Sequence, residues 1–259
     1  MNVQAIKTRK FLPPQDDLWQ LLDQSLPPLQ EESVVVVSSK IVSIGEGRCI
    51  PFEAVQEKDR LIIQEADRYL GREHVPGGWV LHTLKRNLLS PSAGIDASNG
   101  AGHYILWPRD PARSARAIWR FLRRRSEVRR LGVVLTDSHS VPLRRGLLGI
   151  ALAHHGFRPL RDYRRSRDVF GRALRISQTN VADGLAAAAV LVMGEGAEQT
   201  PLAVISDVPS VRFLVRPAPA QGTYDRLDVP LEEDLYRPFL CSVPWRTGGG
   251  GVPDPADAV

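Results

Sequence analysis

Apolar and polar positions along the chain follow two periods, and the switches between them mark the elements. Leu18, Leu21 and Leu22, with Leu26 beyond, keep the spacing of an amphipathic helix. Asp16 and Asp17 precede it at its positive end, and Pro27 and Pro28 stop it. Ser33 to Val37 is a β-branched run, which predicts a buried strand, and Ser38, Ser39 and Lys40 follow as a turn. Phe52 to Tyr69 has helix-forming composition, with Leu61, Ile62, Ala66 and Leu70 at helical spacing and Gly71 as its stop. Pro76-Gly77-Gly78 predicts a turn, Trp79 to Leu81 a short strand, Ser90 to Asn99 a small polar loop and His103 to Trp107 a strand.

In the second half, Asp110 and Pro111 have the character of an N-cap and first helical position. Ala115, Ile118, Trp119 and Leu122 fall on one face of the helix they open, and Arg113, Arg116, Arg120, Arg123 and Arg124 on the other. Leu131 to Leu135 is an apolar strand expected to end at Thr136, Asp137 and Ser138, before a Pro- and Arg-bearing turn that leads to Gly146. Leu147 to Ala153 is apolar and small, and Asp162 to Arg172 is a charged loop. Val181 to Met193 predicts a buried helix with Asp183 in its first turn, ended by Gly194-Glu195-Gly196; Pro201 to Val208 predicts a strand. From Arg216 the chain is rich in Pro and Gly, and Gly248 to Val259 has the composition of a disordered tail. No internal repeat is present. The expected division is a domain over 1–215 and a partly disordered extension over 216–259.

Composition narrows the classes. A hydrophobic content of 43% supports a core in 259 residues, and no apolar run approaches the ~20 residues of a membrane span. The N-terminus lacks the apolar segment of a signal peptide, so a cytoplasmic protein without membrane association is expected. Cys49 and Cys241 give neither a disulfide framework nor a paired metal spacing. The net charge of +5 favours anionic partners. The arginine face has little aromatic interleaving and no nucleic-acid motif, so it reads as a solvated helix face before a nucleic-acid footprint.

Three stretches carry candidate chemistry. Asp137 stands at a strand end, where a fixed Cα and an open loop suit a carboxylate that binds a metal or a phosphate-bound metal; the plainer reading is an Asp capping its own turn. Ser38, Ser39 and Lys40 can hold a phosphate by hydrogen bonds and charge, although the glycines of a Walker loop are missing; a plain turn is the competing reading. Ser90 to Asn99 offers Asp96 and Asn99 on a glycine-bearing loop that lets backbone approach a ligand, or is a surface turn. The adjacent His154 and His155 diverge on any regular element and make a poor metal pair.

Taken together and in order, these motifs resemble the coenzyme F420-0:L-glutamate ligase (F420-0 gamma-glutamyl ligase) family. The resemblance rests on Gln15-Asp16-Asp17-Leu18, on Ser38-Ser39-Lys40-Ile41-Val42-Ser43 with Glu46-Gly47-Arg48, and on Ala93-Gly94-Ile95-Asp96-Ala97-Ser98-Asn99. It extends through Asp110-Pro111 with Ser114-Ala115, Thr136-Asp137-Ser138, Pro142 with Arg144 and Gly146, Asp168 with Phe170-Gly171-Arg172, Ala182-Asp183 and Leu191-Val192-Met193-Gly194. It spans about Val3 to Val208, and the Ala-Gly-Ile-Asp-Ala-Ser-Asn run is its most specific part.

The resemblance implies a mixed α/β (α+β) fold and an intertwined homodimer. It also implies a GTP-dependent ligase that joins L-glutamate to the lactyl carboxylate of a deazaflavin phosphodiester through an acyl phosphate. Two Mg²⁺ or Mn²⁺ sites are implied, with room for K⁺. By position, Asp96 and Asp137 are the catalytic carboxylates and bind one cation, and Ser138 and Glu195 serve a second. Ser39, Lys40, Asn99 and the stretch Met193, Gly194, Glu195, Gly196 on to Thr200 contact the nucleotide; Arg9 to Leu12 matches a nucleotide-contacting stretch by position alone. The sequence departs from the family pattern at Ile44, where a second lysine is usual. It departs again at His139-Ser140-Val141, which lacks a glycine and an arginine, and at Arg165, which replaces a glycine. These departures leave the acceptor open. A same-fold ligase acting on another carboxylate, and a non-catalytic nucleotide- or nucleic-acid-binding relative, are the alternatives.

Overall fold

The computed structural model describes residues 1–209, 211–215 and 227–251. In chain order the strands are β1 (Asn2–Ile6), β2 (Ser33–Ser38), β3 (Cys49–Pro51), β4 (Arg68–Leu70), β5 (His82–Lys85), β6 (Leu88–Pro91), β7 (His103–Ile105), β8 (Leu131–Ser140), β9 (Leu147–His155), β10 (Leu160–Asp162), β11 (Gln178–Asn180), β12 (Leu202–Ser206) and β13 (Arg246–Thr247). The α-helices are α1 (Leu18–Ser25), α2 (Ser39–Gly45), α3 (Lys58–Glu65), α4 (Pro111–Ser126), α5 (Val181–Met193) and α6 (Arg237–Leu240). The result is a mixed α/β fold. Two compact units form, Met1–Arg48 with Trp107–Leu227 and Cys49–Leu106 with Asp228–Val259.

The first unit is a five-stranded sheet in the order β1-β12-β2-β8-β9. Only the β2–β8 pair is parallel, with Val35 opposite Val133. β2 and residues 131–136 of β8 are buried on both faces, as their unbroken apolar runs require. Val35, Val37, Val133 and Leu135 face a core closed by Leu21, Leu22, Ile41, Ile118 and Leu122, from α1, α2 and α4. Val34, Val36 and Val134 face the opposite core, closed by Ala182, Leu185, Ala186 and Ala189 of α5. Period two on the strands and period 3.6 on the helices thus make three layers.

The helix caps follow the sequence. Asp17 accepts from the Gln20 N–H, Asp110 from Arg113 and Asn180 from Asp183. Each cap is worth about 1 kcal/mol.

The second unit holds a four-stranded sheet, β13-β4-β5-β6, and the two-stranded β3–β7 sheet, around Leu61, Ile62, Leu81, Ile95 and Leu106. Inside it Lys85 Nζ lies 2.5 Å from Glu65 Oε2, both side chains 7% exposed.

Several expectations are corrected. The helix predicted over Phe52 to Tyr69 is only Lys58–Glu65, because Arg68–Leu70 pairs with β5 and that ladder takes the backbone before Gly71. The strand predicted over Trp79 to Leu81 begins instead at His82; Trp79 is 83% exposed and packs into no sheet. Ser39 and Lys40 open helix α2 rather than a turn, because Ile41, Val42 and Ile44 give that stretch a buried face. The central strand does not end at Thr136 to Ser138. It runs on to Ser140, paired with Leu147 to Ala151 across an irregularity at Leu135/Thr136.

Unforeseen elements are β1, whose alternating NVQAI pairs β12, and β13 with α6 near the C-terminus. Gly248 to Gly251, which composition assigned to a disordered tail, donate backbone hydrogen bonds to Asp67, Ile63, Ala66 and Gln64. Gly248 and Gly249 lie so close to the end of α3 that a Cβ there meets its carbonyls at 2.2 to 2.7 Å, so this approach demands glycine. Residues 252–259 of that predicted tail lie outside the described residues.

Candidate functional site

In the first unit, the extension of β8 beyond the core carries the candidate chemistry. Thr136 is the last fully buried residue; its Oγ1 donates to the Ile150 carbonyl and closes the strand onto β9. From there the side chains alternate between layers. Asp137 turns toward the α2 side and Ser138 toward the segment after α5.

The two oxygens of Asp137 are held separately. Ser39 Oγ, at the first position of α2, donates to Oδ1 at 3.1 Å, and the Trp107 indole N–H donates to Oδ2 at 2.5 Å. Ser39 and Trp107 are each 3% exposed, so both donors are fixed by packing. Trp107 is fixed further by Arg48, whose Nε donates to its carbonyl at 3.2 Å. Each oxygen of an ionised carboxylate carries two lone pairs, so one oxygen can accept a hydrogen bond and ligate a cation together.

Ser138 Oγ donates to Glu195, at 2.8 and 2.7 Å from its two oxygens, and both residues are exposed. Glu195 follows α5, which ends at Met193 with the Gly194 N–H bonded to the Val190 carbonyl and Gly194 at φ 77°. Thr200 Oγ1 donates to the Met193 carbonyl, and the Gly196 N–H donates to Glu198 at 2.8 Å. Met193, Gly194, Glu195 and Gly196 therefore form a loop tied at both ends, with Glu195 brought to β8.

Near the N-terminus, Asp16 folds the Arg9 to Leu12 stretch around itself. It takes both Arg9 nitrogens at 2.6 and 2.8 Å, the Leu12 N–H at 3.0 Å and the Asp17 N–H at 2.7 Å. The Arg9 bond, aided by those backbone donors, holds the Asp16 carboxyl far below the usual carboxylate range. Ile44, where the family pattern has lysine, is 2% exposed and serves packing.

Asp96 and Asn99 belong to the second unit. Asp96 exchanges backbone hydrogen bonds with Ile105, and its carboxylate accepts from the Ser98 N–H at 2.7 Å and Ser98 Oγ at 2.8 Å. Asn99 is exposed, at φ 53°.

The side chains that Asp137, Ser138 and Glu195 bring together at the end of β8 present only oxygen atoms, the donor type that hard cations take. Among the described residues no three His, Cys, Asp or Glu side chains gather as a metal cluster. Among the described residues, no helix is long and apolar enough to cross a membrane. His155 packs edge-on to Trp119 and His154 beside Phe157, in keeping with structural roles. The strand expected over His103 to Trp107 ends at Ile105, and Trp107, beyond it, was not singled out in the sequence, because a lone tryptophan gives no sign that its N–H has a carboxylate partner.

The chain matches known proteins along most of its length. The F420-0:Gamma-glutamyl ligase family profile matches residues 6–207. A coenzyme F420:L-glutamate ligase of Haloarcula marismortui is 35% identical over 230 residues, covering 80% of this chain and 87% of its own. Those of Methanothermobacter thermautotrophicus and Methanopyrus kandleri are 32% and 31% identical, covering 73% and 79% of this chain and 80% and 86% of their own. The matched span takes in α1, the Ser39–Lys40 helix start, the Asp96 loop, β8 and the Glu195 loop, so the chain belongs to the F420-0:gamma-glutamyl ligase family.

Proposed function

We propose that this protein is a glutamate ligase of coenzyme F420 biosynthesis, driven by GTP and a divalent cation. The coarser part, a ligase, follows from the family and from the names of its relatives. The observation that carries the finer part is Asp137. Its carboxylate stands on a strand that outruns the core, with both oxygens oriented by buried, uncharged donors.

In this reading Asp137 and Asp96 are cation ligands, and Ser138 with Glu195 serves a second cation. The cations supply charge neutralisation on the triphosphate. Lys40 at the start of α2, Asn99 and the Met193 to Gly196 loop contact the nucleotide. The acceptor carboxylate attacks the γ-phosphorus of GTP, the bond to the β-phosphate oxygen breaks, and GDP leaves. The glutamate amine then attacks the acyl carbon and expels phosphate, leaving an amide. No protein nucleophile takes part, so the protein contributes alignment and electrostatics.

The same reading includes a homodimer. It is supported by large apolar side chains left in solvent, Leu143 in the β8–β9 connection and Val169, Phe170 and Ile176 in the segment between β10 and β11, each at least 88% exposed.

The test incubates the protein with GTP, Mn²⁺, L-glutamate and the deazaflavin phosphodiester, then measures GDP and the mass of the product. One added glutamyl residue per GDP is expected. Asp137→Asn is expected to abolish metal-dependent nucleotide binding while the far-UV spectrum stays native. Unchanged Mn²⁺-dependent GTP affinity in that variant removes Asp137 from the site.

A further inference from the structure

We propose that Trp107 is the positioning residue of this site. Its indole N–H fixes the plane of the Asp137 carboxylate in the orientation in which it meets the cation. The proposal rests on the reading of Asp137 as a cation ligand.

The geometry has three parts. The indole N–H is a donor with no acceptor capacity, and Trp107 is 3% exposed. It reaches Asp137 Oδ2 at 2.5 Å, while Ser39 Oγ takes the other oxygen at 3.1 Å. A donor on each oxygen fixes the plane of the carboxylate, which a donor on one oxygen alone cannot do. Secondly, both of these donors are uncharged. An arginine in the place of Trp107 would also orient the group, but as an ion pair that competes with a divalent cation. An indole orients the group and adds no charge of its own. Thirdly, the indole is itself anchored. Arg48 Nε holds the Trp107 carbonyl, and the ring is buried at the edge of the segment that opens into Asp110 and α4. The chain thus connects α2, through Ser39, and the start of the α4 segment, through Trp107, to one carboxylate on β8.

A structural alternative exists, because any buried tryptophan needs an acceptor and Asp137 could serve only that need. The two roles differ in what metal binding reports. The experiment compares wild type, Trp107→Phe and Asp137→Asn by calorimetric titration of Mn²⁺ in the presence of saturating GDP, with steady-state kinetics alongside. Removing an outer partner of a metal ligand costs about 10- to 100-fold in metal affinity. Trp107→Phe, which keeps an aromatic ring and loses the donor, is therefore expected to weaken Mn²⁺ by about tenfold or more. The Mn²⁺ concentration for half-maximal rate should rise in step, while KM for L-glutamate stays the same.

Unchanged Mn²⁺ affinity in Trp107→Phe, with Asp137→Asn still losing it, overturns the role of Trp107 and leaves the ligase reading standing. Unchanged affinity in Asp137→Asn overturns that reading itself. Should Trp107→Phe fail to fold, ¹⁵N-indole spectra of the wild type decide. One indole proton is expected to be protected from exchange, to move on addition of Mg²⁺ with GDP, and to lose both properties in Asp137→Asn. If no indole resonance responds to Mg²⁺ with GDP, the proposal is wrong.

Discussion

Gly149 lies opposite Ser138 in the β8–β9 ladder, at the place where α5 crosses. A Cβ added there would stand 2.4 Å from the Ala186 carbonyl oxygen, 2.5 Å from Val190 Cγ2 and 2.8 Å from the Ala186 carbonyl carbon. Ordinary contact begins near 3.4 Å, so α5 must retreat from β9 by about 1 Å. The obstacle is helix backbone, which cannot rotate away as a side chain can. Overpacking of this kind costs about 1–3 kcal/mol, and the backbone contact places Gly149→Ala toward the upper end. Loss of glycine's unfolded-state entropy returns about 0.5–1 kcal/mol, leaving a net destabilisation of about 2 kcal/mol. Gly184 provides an internal control. It lies within α5, a methyl added to it would meet nothing within 4 Å, and it is not in the left-handed region. Gly184→Ala should stabilise by about 1 kcal/mol through helix propensity alone. Urea unfolding followed by far-UV circular dichroism measures both. The two variants should differ by about 3 kcal/mol, in opposite directions from wild type, with unchanged slopes. A Gly149→Ala protein within about 0.5 kcal/mol of wild type would show that the strand-to-helix approach is looser than these distances require. The same displacement would draw Glu195 away from Ser138, so Gly149→Ala should also weaken Mn²⁺-dependent nucleotide binding, and Gly184→Ala should not.

Burial, aided by Arg116, His154 and Arg120, lowers the His155 pKa to about 4. A histidine depressed in the folded state contributes fully above its unfolded pKa near ~6.5, and that contribution is lost as pH falls toward about 4. The loss is at most about 3 kcal/mol and smaller with solvent screening; His155→Gln should flatten the stability profile over this window, and an unchanged slope refutes the assignment. For the dimer, light scattering after gel filtration should give the mass of two chains, and Phe170→Asp with Leu143→Asp should shift the equilibrium to monomer. A wild-type monomer at micromolar concentration would refute that part of the proposal.

Legibility of the fold followed the strength of each local signal. The α5 boundaries were readable because thirteen residues rich in helix formers, with Asp183 in the first turn, run up to a glycine stop; the Asn180 cap that the structure adds agrees with them. The same held for Asp110-Pro111 at α4. The Phe52 to Tyr69 stretch misled because Arg-Tyr-Leu is three residues long, too short for a period, and is a strand only through β5. The C-terminal Gly248 to Gly251 run misled in the opposite way. Its glycines read as disorder, yet Gly248 and Gly249 are there because the α3 carbonyls leave no room for a Cβ. At the site, the sequence made Asp137 a candidate but misjudged its setting. It is not a strand-ending residue that caps its own turn; it sits mid-strand with partners 98 and 30 residues away along the chain. Long-range partners of that kind leave no local pattern, and for that reason Trp107 escaped notice.

The continuation of β8 past the core explains why two adjacent residues can take different assignments. Had the strand ended at Thr136, Asp137 and Ser138 would lie on a turn whose side chains the sheet does not direct. Because it runs on to Ser140, the pleat sends Asp137 to Ser39 and Trp107 on one side and Ser138 to Glu195 on the other. The irregularity between Leu135 and Thr136 lies in the partner strand: Leu135 pairs with Ala153 and Thr136 with Ala151, so Leu152 of β9 is the extra residue and β8 keeps its alternation through Asp137 and Ser138. The parallel ladder with β2, which runs to Ser38 opposite Thr136, fixes that alternation from the buried side, so the direction of Asp137 is set by the core one residue before the site begins.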